Sequence, residues 1–500
     1  MGIIKRQGFY YTLISYSGVL IGTFNTLFLY IHIFTTSQIG EWNNLQDVGL
    51  IFTQLAQIGI PSIIAKYFPV FRTDDKVHKG LTAWVFIMGG ISFLITTILF
   101  LLLKEPILSY YGKSPYFPKI ILLVIPYSFF LLVNAFLDVL SRVIYKGILF
   151  SLMNEVVVRL GVSVALILYS LKILDFYQFL LCFIILTSFI SIALAVQLWR
   201  SGEFKVQIRT DFIKNETKPL MQYGLYTLMG GATFLLVQKL DKILLTHFKG
   251  DSIQGVYSIF LYFIAVIRIP SIAFGRVSYQ LVADFWENKD MNAVEDIYKK
   301  TSLVQMIVGI FLFIGLALNK DFLFLVFRKN PDFVVVFPIF YVLGLAVLVD
   351  TTTGLNTYIL AVSHKFRIST GILVSSVFVC YGANQLLTPG LGAMGAALSL
   401  LITYFYYNFL NTLYLQIRFK LQPFSWAHVK VAIIGLLVFF LIDAIPVLGN
   451  HFVNLIIRSF LVVVLFGGLV LLFRVSEDIQ HQARMVLSKL NSFINPSKNE

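Results

Sequence analysis

The sequence has little charge and almost no cysteine. Only 13% of its 500 residues are Asp, Glu, Lys or Arg, about half the share that is usual in soluble domains, so a water-soluble globular protein is excluded. Its two cysteines, Cys182 and Cys380, both lie inside apolar runs. This placement excludes a disulfide framework and provides no spacing typical of a metal site.

Motifs for catalysis are also missing. No glycine-rich phosphate loop ending in lysine occurs, so the chain has no built-in site for ATP hydrolysis. The seven histidines are scattered and never reach the spacing of zinc ligands. We therefore expect a protein that is not an enzyme and that carries no cofactor and no metal.

Long apolar runs are what the sequence has in abundance, since 58% of its residues are hydrophobic. Each run of about 20 residues is long enough to cross the hydrocarbon core of a bilayer as a helix. We predict an all-α integral membrane protein with about fourteen transmembrane helices. The predicted spans, numbered 1 to 14 in chain order, are 10–34, 44–69, 80–103, 117–140, 147–171, 174–199, 219–248, 252–280, 300–327, 332–360, 365–387, 391–417, 428–447 and 451–474.

A net charge of +14 is compatible with binding to nucleic acid, so the distribution of the charge along the chain decides whether nucleic acid is expected. When residues at span ends are counted with the adjoining loop, 26 of the 39 Lys and Arg residues lie on the side of the two termini. Eight lie on the opposite side and five within spans. This asymmetry follows the positive-inside rule and predicts that both termini are cytoplasmic. Nucleic acid is not expected as a partner.

A faint internal repeat runs through the chain. "TTSQIGEWNNL" precedes "IGIPSI" in the first copy, and "GDSIQGVYSIF" precedes "IRIPSI" in the second, so that Gly40 matches Gly255 at an offset of 215. Chance similarity between apolar stretches is the alternative. The repeat predicts two pseudo-symmetric six-helix lobes, 1–218 and 219–418, with the substrate path between them. Two further helices at 419–474 and a cytoplasmic amphipathic tail at 475–500 complete the predicted organisation.

Three stretches resemble polysaccharide flippases of the Wzx type, which belong to the MOP (MATE-like) transporter superfamily. They are "SQIGEWNNLQDVGLIFTQLAQIGIPSIIAKYFP" (37–69), "QKLDKILLTHFKGDSIQGVYSIFLYFIAVIRIPSIAF" (238–274) and "GLNTYILAVSHKFRIS" (354–369). The resemblance extends to helix number and loop layout over most of the chain.

This resemblance implies a flippase of a bacterial cytoplasmic membrane that works by alternating access. Its substrate would be an oligosaccharide linked to an anionic polyprenyl pyrophosphate, as used for O-antigen, lipopolysaccharide and other surface polysaccharides. Membrane lipids, a coupling H⁺ or Na⁺ and a polysaccharide polymerase are the further partners implied. Two alternatives stay open: a MATE-type multidrug or cation exporter, and a membrane polysaccharide polymerase.

Charges inside predicted span 7 are candidate substrate ligands, because charges at membrane depth are costly and usually face a cavity or a partner. Gln238, Asp241 and Lys242 share one helix face, and Lys239 is expected about 100° away from it. The interpretation as a binding wall for an anionic head group stands beside that of a local charge pairing.

Arg268 in span 8 has no acidic residue within four positions. Its planar guanidinium suits two phosphate oxygens at once, which favours a role in pyrophosphate binding. The alternative is an interhelical ion pair with Asp350 or Glu155.

Other polar groups within the spans are weaker candidates for substrate binding. Glu155 and Arg159 are spaced to neutralise each other, Asn25 would suit sugar hydroxyls, and Lys66 is a cation in the cytoplasmic half of span 2. In the family resembled, spans 1, 2, 7 and 8 line the cleft, so Lys66 would meet an incoming pyrophosphate.

Span 10 contains "LVDTTTGLNTY", which places Asp350 near Gly354 and Asn356 in an apolar run. This run predicts a locally unwound segment or a coupling-ion site, for which Asp350 and Asp241 are candidates. A polar contact between helices is equally compatible. In related fourteen-helix flippases the last two helices form a groove for a lipid tail, where Arg458 would lie unless it pairs with Asp443.

Overall fold

The computed structural model describes residues 2–202, 205, 207–327, 332–363, 365–446, 449–476 and 480. Within these residues every regular element is helical and no strand occurs. Thirteen helices are long and apolar enough to cross a membrane, or fourteen when the bent pair Thr36–Ala56 and Ile60–Phe71 counts as one span. The prediction of an all-α membrane protein with about fourteen spans is confirmed. Almost all of the predicted tail at 475–500 lies outside the described residues.

The first of two compact units comprises Met1–Ile259 and Cys380–Ala396. Its elements are α1 (Gly2–Phe24), a π-helical turn (Asn25–Tyr30), α2 (Ile31–Ile33), α3 (Thr36–Ala56), α4 (Ile60–Phe71), α5 (Leu81–Leu102), α6 (Lys104–Tyr110), α7 (Phe117–Ile120), α8 (Val124–Val143), α9 (Ile148–Leu152), a second π-helical turn (Met153–Val157), α10 (Val158–Ser170), α11 (Phe176–Arg200), α12 (Thr210–Lys249) and the start of α13 (Asp251–Glu287). Short 3₁₀ turns lie at His78–Gly80 and Ile121–Leu123.

The second unit comprises Phe260–Val379 and Ala397–Glu500. It contains the rest of α13 and then α14 (Met291–Leu318), α15 (Lys320–Phe327), α16 (Asp332–Val336), α17 (Ile339–Thr352), α18 (Asn356–Val362), most of α19 (Phe366–Leu391) and α20 (Ala393–Phe419), α21 (Trp426–Asp443) and α22 (His451–Leu472). The predicted lobes 1–218 and 219–418 follow helix order rather than these units, and they stay a prediction.

Side-chain caps fix where several helices begin. Thr35 accepts a hydrogen bond from the Gln38 amide while the Gln38 side chain bonds back, which completes a capping box at the start of α3. Asp175 and Gln178 do the same at α11. These caps satisfy amide groups that have no partner within the helix, so the chain enters each apolar run as a helix.

A glycine breaks the second membrane span. Gly59 adopts φ +68°, in the left-handed region, and α3 and α4 meet there at 43°. A Cβ at Gly59 would lie 2.2 Å from the Gly224 carbonyl oxygen of α12. The bend therefore depends on glycine both for its backbone conformation and for the close approach of α12.

The two copies of the predicted repeat meet at a second close approach, which we call the glycine crossing. A Cβ on Gly40 would lie 2.0 Å from the Asp251 carbonyl oxygen, and a Cβ on Gly255 would lie 2.0 Å from the Thr36 carbonyl oxygen. Thr36 and Asp251 are themselves 215 positions apart, the offset that relates the two glycines. Such reciprocal contacts are expected where two equivalent segments cross about an approximate twofold axis.

Another glycine interrupts predicted span 10. Gly354 has φ +57°, and it separates the end of α17 at Thr352 from the start of α18 at Asn356. The sequence interpretation of a locally unwound segment agrees with this break.

Each unit has its own packed core. In the first, Phe34 and Trp42 lie edge-on to Phe179, with ring centroids 4.9 and 5.3 Å from it. In the second, α14, α21 and α22 bury a cluster that includes Val438 and Phe466. Edge-to-face aromatic pairs add attraction beyond the burial of their area.

Candidate functional site

Two lysines of α12, Lys239 and Lys242, pair with one carboxylate on α3. The Lys239 Nζ lies 2.8 Å from Asp47 Oδ1, and the Lys242 Nζ contacts Asp47 Oδ2. The side chains of Lys242 and Asp47 are only 9% and 3% exposed. At such burial an ion pair holds helices together only while both partners are present.

Asp241 supplies the second negative charge of this group. Its side chain accepts a hydrogen bond of 2.6 Å from the Tyr257 hydroxyl and one of 2.8 Å from the Lys242 amide. We call Asp47, Lys239, Asp241 and Lys242 the lysine cluster. With two positive and two negative charges, the cluster has no net charge of its own.

The structure corrects one expectation about span 7. Lys239 does not point away from Lys242, because residues three apart on an α-helix lie on the same side, and Asp47 binds both. Sequence reasoning also missed Asp47, although it lies inside predicted span 2, because no cation is near it in sequence and its partners lie on α12. The signal was present in "EWNNLQD", where Glu41, Asn44 and Asp47 recur at helical spacing.

Arg268 of α13 belongs to a polar group in the second unit. Its Nη2 lies 2.5 Å from Asp350 Oδ2 on α17, and its guanidinium is 5.0 Å from the centroid of the Tyr404 ring. Asp350 Oδ1 also accepts hydrogen bonds from the Tyr407 hydroxyl and, at 3.1 Å, from Asn408 Nδ2. We call these five residues the arginine cluster.

The charged side chains of the arginine cluster are more exposed than Lys242 and Asp47 of the lysine cluster. The Arg268 and Asp350 side chains are 26% and 22% exposed, and Arg268 Nε has no hydrogen-bond partner among the described residues. Of the two partners expected for Arg268, the structure shows Asp350. Asp350 engages the guanidinium through Nη2, and the unpartnered Nε is itself buried.

Polar contacts surround the break between α17 and α18. Asn408 Oδ1 accepts hydrogen bonds from Thr353 Oγ1 at 2.6 Å and from Asn356 Nδ2 at 2.9 Å. For span 10, the locally unwound segment and the polar contact between helices were alternatives, and the structure shows both. Sequence reasoning missed Tyr407 and Asn408, because nothing in "TYFYYNF" distinguishes them from ordinary membrane-facing residues.

Glu155, Arg159 and Asn25 form a local network in the first unit. Arg159 Nη2 lies 2.5 Å from Glu155 Oε2, and Arg159 Nη1 donates to the Gly18 carbonyl. Asn25 Nδ2 donates to the Arg159 carbonyl at 2.9 Å and its Oδ1 accepts from Ser163 at 2.6 Å. These contacts show the expected pairing of Glu155 with Arg159.

Lys66 on α4 is exposed, and no acidic group pairs with it among the described residues. Its Nζ lies 4.1 Å from the centroid of the Tyr223 ring and 5.1 Å from that of Tyr67. The aromatic faces attract the ammonium and leave its N–H donors available.

Arg458 on α22 does not pair with Asp443, which corrects one of the two expectations for it. It donates to the Leu318 carbonyl at 2.7 Å and lies 3.5 Å from Asp321. Asp443 pairs instead with Lys320 at 3.3 Å. Arg458 is therefore a buried link from α22 to the end of α14.

An apolar cavity of about 770 Å³ lies in the second unit. Side chains of α14, α17, α20 and α21 line it, among them Phe313, Tyr341, Phe405, Phe409 and Phe439. Its volume is within the range of small-molecule pockets, and its lining suits an apolar occupant.

Sequence comparison assigns no family to the chain. No protein-family profile matches it. An uncharacterized membrane protein, MJ1068 of Methanocaldococcus jannaschii, is 22% identical over 262 residues, which are 52% of this chain and 51% of that protein. The chain thus matches about half the length of this curated relative.

Solved structures resemble the chain over nearly its whole length. The lipid II flippase MurJ in an inward closed conformation gives a TM-score of 0.74 at 13% identity and covers 93% of this chain and 98% of its own. An inward-facing multidrug resistance MATE family transporter of the MOP superfamily gives 0.57 at 13% identity and covers 82% and 94%. The outward-facing conformation of such a transporter gives 0.55 and covers 84% and 95%. The chain is a multi-pass membrane protein with the fold of these transporters.

Proposed function

We propose that this protein is a flippase that moves a polyprenyl-pyrophosphate-linked oligosaccharide across the cytoplasmic membrane by alternating access. The observation that carries this proposal is the extent of the structural match. A lipid II flippase superposes on 93% of the chain with a TM-score of 0.74, whereas the inward-facing MATE transporter covers 82% with 0.57. Cell-surface polysaccharide assembly is the process in which such a substrate is used.

Arg268 is the residue that we propose binds the pyrophosphate. It is partly exposed, its guanidinium lies against the Tyr404 ring, and Asp350 occupies only part of its donor set. A phosphate arriving at this group competes with Asp350 for the same N–H groups, and Tyr407 and Asn408 hold the displaced carboxylate in place. Asp350 is thus the counter-ion of Arg268 when no substrate is bound.

Lys66 is a second candidate ligand for the anionic head group, because it is exposed and its neighbours are aromatic rings rather than carboxylates. The lysine cluster is a weaker candidate. Lys239 and Lys242 are already paired with Asp47, and Asp241 accepts hydrogen bonds from the Tyr257 hydroxyl and the Lys242 amide. Glu155, Arg159 and Asn25 are likewise engaged with one another.

The apolar cavity of the second unit is the proposed place for the polyprenyl chain. It is bordered by α21, the helix predicted as span 13, and its lining is almost entirely hydrophobic. Burying an isoprenoid chain there lets the polar head group move while the tail stays in an apolar environment. The positive-inside distribution supports cytoplasmic termini and entry of the substrate from the inner leaflet.

A deletion strain tests this function. We expect lipid-linked oligosaccharide to accumulate on the cytoplasmic face when the gene is absent, and wild-type protein to clear it. Arg268→Ala should not clear it at equal expression. Arg142→Ala is the matched control, because Arg142 is an exposed arginine of the first unit paired with Asp138 at 3.0 Å.

Two outcomes would argue against the proposal. Normal translocation in the deletion strain together with new sensitivity to amphiphilic cationic drugs would indicate a MATE-type exporter instead. Equal clearance by Arg268→Ala and Arg142→Ala would remove Arg268 from the binding site while leaving the transport function in place.

A further inference from the structure

Two buried carboxylates beside the glycine crossing have no cation as partner among the described residues. Glu41 on α3 and Asp251 at the start of α13 are 3% and 2% exposed. Within the described residues neither carboxylate forms an ion pair with a lysine, arginine or histidine. The other acids buried in the spans, Asp47 and Asp241, both belong to the neutral lysine cluster.

The two carboxylates meet at the same place in the fold, because Asn44, which bonds Asp251, lies one helical turn after Glu41 on the same side of α3. The backbone contact between Gly40 and Asp251 brings them together, since Glu41 directly follows the glycine that abuts Asp251. The hydrogen bonds available to the pair are few. Glu41 has a Ser37 hydroxyl at 3.5 Å, and Asp251 Oδ1 accepts from Asn44 Nδ2 at 2.7 Å.

Several polar atoms around Asp251 are buried without a partner. Asp251 Oδ2 and both side-chain atoms of Gln254 form no hydrogen bond among the described residues. Gln254 is completely buried and follows Asp251 by three positions, so it lies on the same side of α13. The Ser114 hydroxyl approaches Asp251, but neither Ser114 Oγ nor Asp251 Oδ2 completes a bond of normal geometry. Buried polar atoms left unpaired in this way indicate a missing ligand.

Charge balance indicates a ligand with a single positive charge. Two ionised carboxylates carry −2, and the start of α13 contributes roughly +0.5 through its helix dipole. A buried pair of this kind does not stay doubly ionised, because the charges repel and have left water. One cation removes most of the imbalance. Within the described residues no group of three or more His, Cys, Asp or Glu side chains could hold a metal ion, as a transition metal would require.

We propose that Glu41 and Asp251, assisted by Gln254 and Ser114, bind one monovalent cation, either H⁺ or Na⁺. Both ions share the chemistry of neutralising a carboxylate pair through oxygen ligands. The bound ion removes the repulsion across the glycine crossing and keeps α3 and the start of α13 together. Ion binding itself does not depend on the proposed flippase function, whereas a role of the ion in driving translocation does.

Other ionisable groups near this pair are occupied or neutral. On α12, Lys239 and Lys242 belong to the lysine cluster, and the His247 ring nitrogen contacts the Tyr110 carbonyl. Lys113 donates to the Phe248 carbonyl at 2.5 Å. The remaining titratable groups that face the pair or its neighbours are Lys249, Tyr111, Tyr116, Tyr169 and Asp175. None of them supplies the missing positive charge in the described residues.

The test uses the purified full-length protein in detergent without substrate. The unfolding temperature is measured while Na⁺ replaces choline at constant ionic strength, for wild type, Glu41→Gln, Asp251→Asn and Asp138→Asn. Asp138→Asn is the matched control, because it removes a carboxylate of the same unit that already has Arg142 as its cation. A shift with Na⁺ in wild type and control that is lost in both site variants identifies a Na⁺ site.

The H⁺ arm uses infrared spectroscopy in Na⁺-free buffer. If Na⁺ has no effect, we expect the C=O stretch of a protonated carboxyl at neutral pH, present in wild type and Asp138→Asn and absent in Glu41→Gln or Asp251→Asn. If wild type shows neither a Na⁺-dependent shift nor this band, the proposal is overturned, whether or not the variants fold. A Na⁺ shift or a band that persists in both site variants would also overturn it.

Discussion

The lysine cluster and the arginine cluster solve the same problem in different ways. Both place charged side chains at membrane depth, where an uncompensated charge is costly. The lysine cluster combines two lysines with two carboxylates, and Lys242 and Asp47 are 9% and 3% exposed. The arginine cluster has one arginine and one carboxylate, 26% and 22% exposed, with a guanidinium nitrogen left over.

This difference separates a structural role from a binding role. A buried group whose two lysines are both paired with Asp47 links α3 to α12 and offers little to an incoming anion. A partly exposed arginine with a single replaceable counter-ion can exchange it for a phosphate. We therefore propose helix packing as the role of the lysine cluster and substrate contact as the role of Arg268. The predictions below test this assignment.

Lys242→Met should have the largest effect on stability. It leaves Asp47 and Asp241 with a single lysine inside a buried group, and breaking such a pair typically costs about 3–5 kcal/mol. The measurement is the free energy of unfolding in mixed detergent micelles. The double variant Asp47→Asn/Lys242→Met, which restores a balance of one lysine and one carboxylate, should recover most of the loss. Equal stability of Lys242→Met and wild type would contradict the structural role.

Arg268→Gln should have the largest effect on transport. Loss of a charge-assisted contact to phosphate is worth about 1.5–3 kcal/mol, or roughly tenfold or more in substrate affinity. Folding should suffer less, because the ion pair is partly exposed and Asp350 keeps Tyr407 and Asn408 as donors. Arg268→Lys, which keeps the charge and loses the planar fork, should fall between wild type and Arg268→Gln. Identical transport by wild type, Arg268→Lys and Arg268→Gln would contradict the binding role proposed for Arg268.

Asp350→Asn should strengthen anion binding. Without its counter-ion, Arg268 is available to phosphate at no competing cost, so the Kd for a short-chain polyprenyl pyrophosphate should fall by about threefold to tenfold. Asp443→Asn is the control, because Asp443 pairs with Lys320 in the same unit. Calorimetric titration in detergent measures both. Weaker binding by Asp350→Asn would show that the carboxylate assists the substrate instead of replacing it.

Glu155→Gln should have the smallest effect. The pair with Arg159 is about a third exposed and spans one helical turn, and such pairs contribute about 0.3–0.5 kcal/mol. Arg159 also keeps its bond to the Gly18 carbonyl. Thermal unfolding and the complementation assay should both resemble wild type. A severe transport defect at normal stability would instead support substrate binding by Glu155 and Arg159.

The fold could be predicted well because membrane helices leave a strong composition signal. Runs of about 20 apolar residues mark a span whatever the tertiary contacts are. The start of α3 is the instructive exception. The predicted span begins only at 44, because polar residues before it such as Glu41 and Asn43 resemble a loop, although Thr35 and Gln38 form a capping box there. Polarity at the start of this helix reflects polar partners on α12 and α13 rather than water.

The partners of the candidate site residues could be predicted only in part. Glu155 and Arg159 are neighbours on one helix, so their spacing was informative. Asp350 was one of two partners expected for Arg268, and geometry alone decides between residues far apart in sequence. The side predicted for Lys239 is wrong because it follows from the angle to Gln238 alone. Lys242 is three residues after Lys239 and therefore lies on the same side of the helix. Asp47 lies inside predicted span 2, but its partners Lys239 and Lys242 are far away in sequence, so no local spacing indicates the pairing.

The most direct measurement is translocation by the purified protein in proteoliposomes. A labelled polyprenyl-pyrophosphate-linked oligosaccharide is placed in one leaflet, and its appearance in the other is followed for wild type, Arg268→Gln and Arg142→Gln. We predict movement with wild type and Arg142→Gln, and a loss of about tenfold or more with Arg268→Gln. No movement with wild type, together with uptake of a cationic dye that Arg268→Gln leaves unchanged, would contradict the account.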